Sequence, residues 1–580
     1  MSSAMDKKDL PKGYRIKVNV IRYGIISIFV VLIYHLVCIQ ILDCEKYSSL
    51  ALGQRLKKQE LPTKRGMIFD RNGLVLAETI RVCSISAVPE RVRDKKKTAQ
   101  TLSEVLGVNQ EKAFYLLNKK KDFVWIKRRV TDEQAGELKR LGLRGIVIED
   151  EYKRVYPNGS LCCHVLGFTD IDQNGIAGVE HSLNHVLTGR KGYRLVEKDA
   201  LQRQFSIINK ETVFPRYGNS IYLTIDSEIQ SIVEEELESV CVSNQADSAT
   251  AIVMEVATGE ILAMANYPWY NPNNVQKSKS KERRNRAIAD SFEPGSLIKP
   301  IIVCGALDSG LVQKDEMINC YNGSYRIKRR VIRDVHPYEY LTVSDIIVNS
   351  SNIGMVQVGM LMEKEGLYNQ LRSFSFGQKT GISLPGEATG KVWPLNVWSL
   401  NSVVSVSFGY EIAATPLQLT AAYSSIANGG SLQKPQIVHS ISDFSGRKRR
   451  HNQSVRINRV ISPRIAREVM TPILEDVVME GTGRKAKLSG YKVAGKTGTA
   501  KKLERIDDKM VYSENKYVSS FIGFVPADDP KICVLVSVNE PKKGDYYGGV
   551  VAAPVVRNVM GRVLPYMRVK PRNTIRTVQN

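Results

Sequence analysis

No C-x-x-C pair occurs among the 9 cysteines (Cys38, Cys44, Cys83, Cys162, Cys163, Cys241, Cys304, Cys320, Cys533), and no spacing among them could hold zinc tetrahedrally. An odd cysteine count over 580 residues also argues against a disulfide-built scaffold, leaving room for an isolated bridge in an oxidising compartment. No repeat of fixed period is visible, so the chain does not read as a repeat array. Acidic residues are in deficit: Lys+Arg 83 against Asp+Glu 59 gives +24, a charge that suits nucleic acid, a phospholipid surface or a pyrophosphate-bearing substrate. The basic clusters at Lys95–Lys97, Lys119–Lys121, Lys127–Arg129 and Arg447–Arg450 have few interleaved aromatics apart from Phe123 and Trp125, and read as solvated faces or loops. The remaining composition, 43% hydrophobic and 24% charged, rules out a wholly disordered chain, and the length allows about three to four domains.

Charge is missing altogether from Tyr23 to about Leu42, YGIISIFVVLIYHLVCIQIL, a run of the roughly 20 residues that cross a hydrocarbon core as a helix. It exceeds the core of a cleaved signal peptide, although Ala51-Leu52-Gly53 would pass for a weak cleavage site. The preceding segment holds Lys7, Lys8, Lys12, Arg15, Lys17 and Arg22 against Asp6 and Asp9, which keeps it cytoplasmic by the positive-inside bias. Everything beyond Leu42 is then expected outside the cytoplasm, and nucleic acid drops out as the partner of the positive charge.

Beyond the anchor, residues 44–215 alternate short apolar runs with turns, as at Asn72-Gly73, and read as mixed α+β. From Ser220 the pattern changes. Ile221–Ile225 reads as a strand, Asp226 or Ser227 as the cap of a helix over IQSIVEEELESV, and ATAIVMEV with EILAMANY as a hairpin. Two further strands, KYVSSFIGFVP and KICVLVSVN, lie near the C-terminal end, with helical periods between about 294 and 480. Strands at both ends with helices between them predict an α+β sheet domain assembled from distant segments.

Glu293-Pro294-Gly295-Ser296-Leu297-Ile298-Lys299-Pro300 places a serine at a helix start with a lysine one turn on, on the same face. An amine whose pKa is lowered by burial and a second cation can take the proton of a serine hydroxyl, which by itself is a poor nucleophile. Ser350-Ser351-Asn352 follows 54 residues later with a hydroxyl and an amide, and Lys496-Thr497-Gly498-Thr499 comes 146 residues further on, after Val493-Ala494-Gly495, in a context suited to an edge strand that pairs with an extended peptide. Each motif has a decoy: Ser278/Lys281, Ser399/Asn401 and Lys379-Thr380-Gly381. The ordered set carries weight that no single motif does.

In this set the chain resembles the penicillin-binding proteins, and in particular the class B, monofunctional transpeptidases. RGMIFDRNGLVLA, RVYPNGSLCCHVLGF and GIAGVEHSLNHVLTG look like their non-catalytic, dimerisation-type pedestal. RNRAIADSFEPGSLIKP, VNSSNIG, VSFGYEIAATPLQL and VAGKTGTAKK look like their transpeptidase domain. The run KYVSSFIGFVPADDPKICVLVSVNEP with YYGGVVAAPV is similar to the cell-division type. The vicinal pair Cys162-Cys163 departs from the family's ordinary residues. The expected organisation is a cytoplasmic tail (1–22), a transmembrane helix (23–42), the pedestal (44–215), a transpeptidase domain with an antiparallel sheet covered by helices as in serine β-lactamases (217–565), and a C-terminal tail (566–580).

The resemblance implies a peptidoglycan D,D-transpeptidase in septal wall synthesis, single-pass in a bacterial inner membrane with its catalytic domain outside. Ser296 would attack the penultimate D-alanine carbonyl of a stem peptide. Lys299 would be the base, with Lys496 holding its pKa down, Ser350 would shuttle the proton, and Asn352 would orient the donor. Thr497, Gly498 and Thr499 would bind substrate, and the backbone N–H groups of Ser296 and Thr499 would form an oxyanion hole. The implied partners are stem peptides, β-lactams as covalent inhibitors, the membrane, a membrane glycan polymerase and other division proteins, with no metal or organic cofactor and no nucleic acid. The rivals are an elongation-type transpeptidase, a serine β-lactamase, a β-lactam sensor, and a divisome scaffold with vestigial motifs.

Overall fold

The computed structural model describes residues 12–198, 204–507 and 509–572. Residues 1–11, half of the expected N-terminal tail, and residues 573–580 lie outside them. By contacts the chain divides into two units, Met1–Thr63 with Arg190–Arg216, and Lys64–Gly189 with Tyr217–Asn580. In the first, the charge-free run 23–42 is part of a longer helix, Lys12–Val37, that closes in a π turn over Cys38–Leu42. The helix starts earlier than the charge-free run because Lys and Arg are good helix formers and continue it outward. The segment Gly13–Leu42 has a mean hydropathy of 2.6 in its most apolar stretch, none of which is buried, as expected of a membrane-spanning helix. A helix Cys44–Arg55 and an antiparallel sheet of Leu56–Leu61, Gly192–Lys198 and Gln204–Val213 complete this unit.

The second unit is organised by two sheets. A five-stranded antiparallel sheet runs in the order Ile261–Tyr267, Ser248–Glu255, Ile532–Asn539, Lys509–Val525, Ala494–Ile506. Its strands Ile261–Tyr267, Ser248–Glu255 and Ile532–Asn539 are buried at nearly every position because both faces are covered. Side chains alternate between the faces. Ala251, Val253, Val534 and Val536 pack on one side with the helices Ser227–Asn244 and Ala553–Tyr566, while Ile252, Met254, Cys533 and Leu535 face a second core containing Lys299–Asp308 and Pro416–Ala427. The helix Lys299–Asp308 is apolar between its charged end residues and buried as far as Leu307, as such a composition requires.

The strand Ser220–Leu223 does not join this sheet, contrary to the sequence expectation. It lies parallel to Ile68–Phe69 and antiparallel to Val438–Ser442, in a sheet that continues through Val75–Ala87 to Val124–Val130 and Ile146–Val155. Its neighbours come from distant sequence, so local pattern reads the strand but not its sheet. The turn at Asn72-Gly73 does join Ile68–Phe69 to Val75–Ala87, and Asp226 caps the following helix as expected. All nine cysteines are free, with Cys162 and Cys163 buried.

Candidate active site

Ser296 sits on a 3-10 turn, Gly295–Ile298, that runs directly into the helix Lys299–Asp308. The Tyr423 hydroxyl donates to the Leu297 carbonyl at 2.8 Å and holds the turn from the neighbouring helix. Gly295 donates its N–H to the Gly409 carbonyl, and a Cβ on Gly409 would stand 2.1 Å from the Gly295 oxygen. The glycine of Phe408-Gly409-Tyr410 is therefore required by this close approach. The turn leaves Ser296 half-buried and Lys299 fully buried.

Lys299 Nζ donates to the Ser350 carbonyl at 2.7 Å, to Asn352 Oδ1 at 2.8 Å and to Ser350 Oγ at 3.4 Å. These acceptors converge because two helices meet there. Val343–Val348 ends at Asn349, Ser350 takes a left-handed φ of 59°, and Ser351 caps Asn352–Ser373 by accepting from Gly354 N. The structure thus brings Ser350 and Asn352 onto Lys299, whereas no hydrogen bond joins Lys299 to the Ser296 hydroxyl among the described residues. Burial pulls the Lys299 amine down to about 7, against the opposing charge of Asp334.

Lys496, Thr497, Gly498 and Thr499 lie on Ala494–Ile506, the edge strand of the five-stranded sheet. Lys496 pairs with Ile522 and shares its face, toward the helices that carry Lys299. A Cβ on Gly498 would meet Leu297 Cγ at 2.7 Å, so this glycine lets the strand close on the serine turn. Thr497 and Thr499 point to the other face. Thr497 Oγ1 is 2.7 Å from Thr482 Oγ1, and Thr499 Oγ1 accepts from Gly548 N at 2.9 Å, which leaves the Thr499 hydroxyl proton free to donate. Lys496 Nζ is buried without a hydrogen-bond partner among the described residues, and burial, then the charge of Lys299, push its pKa far down. Burial is the leading cause of the lowered pKa at both amines.

The decoys are placed elsewhere and have structural partners. Ser399 caps the helix Leu400–Ser407, and Thr380 is tied by its N–H and hydroxyl to Glu387 in a loop. Sequence reasoning missed Asp334. Its carboxylate accepts from the Ser351 hydroxyl and from the N–H groups of Asn352 and Ile353, and its charge opposes the burial of Lys299. The available signal was that Asp334 is the one acidic residue from Met317 to Tyr338, in a basic stretch. Chemically, a serine on a tight turn, a buried amine of low pKa and an edge strand suit acyl transfer from a peptide through a serine ester.

Comparison with known proteins matches residues 249–561 to the penicillin binding protein transpeptidase domain and residues 60–223 to the penicillin-binding protein dimerisation domain. The chain belongs to the class B penicillin-binding proteins, serine D,D-transpeptidases of peptidoglycan. It is 36% identical to the peptidoglycan D,D-transpeptidase FtsI of Escherichia coli K12 over 524 residues, 89% of this chain and 86% of that one. It is also 36% identical to stage V sporulation protein D of Bacillus subtilis over 560 residues, 95% and 86% of the two chains. Penicillin binding protein 3 of Mycobacterium tuberculosis, solved in complex with aztreonam, superposes with a TM-score of 0.69 at 26% identity, covering 88% of this chain and 98% of that one.

Proposed function

We propose that Ser296 is the nucleophile of this transpeptidase and that the enzyme works in septal wall synthesis. The observation that carries the site assignment is the buried Lys299 amine, held by Ser350 and Asn352 one helical turn after Ser296. Ser296 Oγ attacks the carbonyl of the penultimate D-alanine and its proton passes to the unprotonated Lys299 amine. The peptide C–N bond then breaks, and the departing D-alanine amine receives a proton relayed through Ser350. An acceptor amine attacks the resulting ester, forms the cross-link and returns Ser296. Asn352 orients the donor, and the free Lys496 amine takes part in the same relay. Thr497–Thr499 pair with the peptide backbone and carboxylate, and the N–H groups of Ser296 and Thr499 hold the oxyanion, a contribution whose loss typically costs ~10²–10³ in rate. β-Lactams acylate the same serine.

The septal reading is supported by the run from Lys516 to Pro554, which resembles the division type, and by the similarity to FtsI. The apolar helix anchors the chain with its catalytic domain outside the cytoplasm, and a membrane glycan polymerase and other division proteins are its partners. Equal identity to a sporulation protein supports a second reading, a role in sporulation. Labelled penicillin on full-length protein tests the site: Ser296→Ala abolishes covalent labelling, and persistent labelling would mean another serine reacts. Depletion tests the machine: blocked septation with continuing side-wall growth is expected, whereas a defect confined to sporulation would favour the second reading.

A further inference from the structure

Residues 324–333, Ser-Tyr-Arg-Ile-Lys-Arg-Arg-Val-Ile-Arg, contain five cations and no acid. They form a hairpin, Ser324–Ile327 with Arg330–Arg333, whose faces separate cleanly. Ile327 and Ile332 are buried in the core beneath it. Arg330 anchors the same side, donating to Ser405 Oγ at 2.6 Å and lying over the Phe408 ring. The opposite face and the turn expose Arg326, Lys328, Arg329 and Arg333. None of these four side chains makes a hydrogen bond or ion pair with a described residue.

The hairpin is joined to the catalytic cluster by its own backbone. Asn352 Nδ2 donates to the Arg333 carbonyl at 3.2 Å, and the next residue, Asp334, caps the helix that carries Asn352. The hairpin that carries the unpaired cations therefore borders the site at its Arg333 end. Lys328 occupies the turn at φ 50°, a left-handed conformation that favours glycine.

We propose that this hairpin is an electrostatic selection site for acidic peptide substrates, recognising carboxylates beyond the terminal one that every peptide ending in D-alanine carries. Four unneutralised cations beside one site raise the local concentration of anions and discriminate by charge, in a manner that salt screens. The proposal rests on acylation at Ser296, and the test separates the two.

Full-length enzyme in detergent is given two D-alanyl thioesters of thioglycolate, one bearing N-acetylglutamate and the other N-acetylglutamine, and thiol release is followed. Wild type is expected to favour the glutamate compound in kcat/KM by about fivefold at low salt, through KM, and to lose most of the preference at about 0.5 M salt. Arg326→Gln/Lys328→Gly/Arg329→Gln should bring the ratio near one, with glycine at 328 suiting the turn. Arg326→Lys/Arg329→Lys should keep the preference. A wild-type ratio of one at low salt, or a neutralised variant that keeps the preference, overturns the proposal even if one variant fails to fold. Failure of both thioesters, and of labelled penicillin, to acylate Ser296 in wild type would instead overturn the reading beneath it.

Discussion

Two places in the larger unit bury cations, and they treat them in opposite ways. Arg65 and Arg154 are nearly inaccessible, and Glu180 lies between them, accepting from Arg65 Nε at 2.7 Å and from Arg154 Nε at 2.6 Å. The remaining guanidinium protons reach Asn184, Thr188, Thr79 and the carbonyls of Gln173, Gly66 and Glu180, with Arg154 Nη2 left over. The network clamps together segments more than 100 residues apart in sequence through one carboxylate shared by two guanidinium groups. At the active site, Lys299 meets neutral acceptors and Lys496 meets none. Burial without a carboxylate partner drives both amines toward their neutral form. Paired burial stores charge for structure, and unpaired burial leaves an amine able to accept a proton.

The largest effect that would break this contrast is on catalysis. Lys299→Met should slow penicillin acylation about a thousandfold, since a positioned general base supplies ~10²–10⁴. A rate close to wild type would mean that another group takes the Ser296 proton. Glu180→Gln should leave acylation chemistry in place but destabilise the fold by about 3–5 kcal/mol, because two guanidinium groups lose their one carboxylate. Its denaturant midpoint measures this, and an unchanged midpoint would show that the clamp is dispensable.

Lys496→Ala sharpens the comparison by slowing acylation about ten- to a hundredfold, while the pH midpoint of the rate should stay near 7, because burial sets the Lys299 pKa. A midpoint displaced well above 7 would make the Lys496 charge the leading cause instead. In wild type the rate should rise with pH through about 7, since the folded amine lies below its ordinary 10.5 and must lose its proton to act. Asp334→Asn should move that midpoint down, as the charge that supports the ammonium is removed. The smallest effect is expected for Lys379→Ala, within about twofold, because the loop copy of K-T-G is organised around Thr380 and Glu387.

Much of this was legible along the chain because its signals are local. Twenty uncharged residues announce the apolar helix, short apolar runs bounded by turns mark the strands, and a largely apolar helix opening with Lys299 forecasts a buried lysine. The order of the three motifs singled out Ser296, Ser350 and Lys496 from their decoys. What depended on tertiary structure was every relation between distant segments. Ser220–Leu223 went to a sheet with Ile68–Phe69, and Asp334 came under the helix that carries Asn352. The source of the lowered Lys299 pKa belongs to the same class, since desolvation depends on what the whole fold packs around a side chain. Hydrophobic period and turn chemistry act over a few residues and are written in order, whereas the field and the solvent at a buried amine come from atoms that only folding brings near.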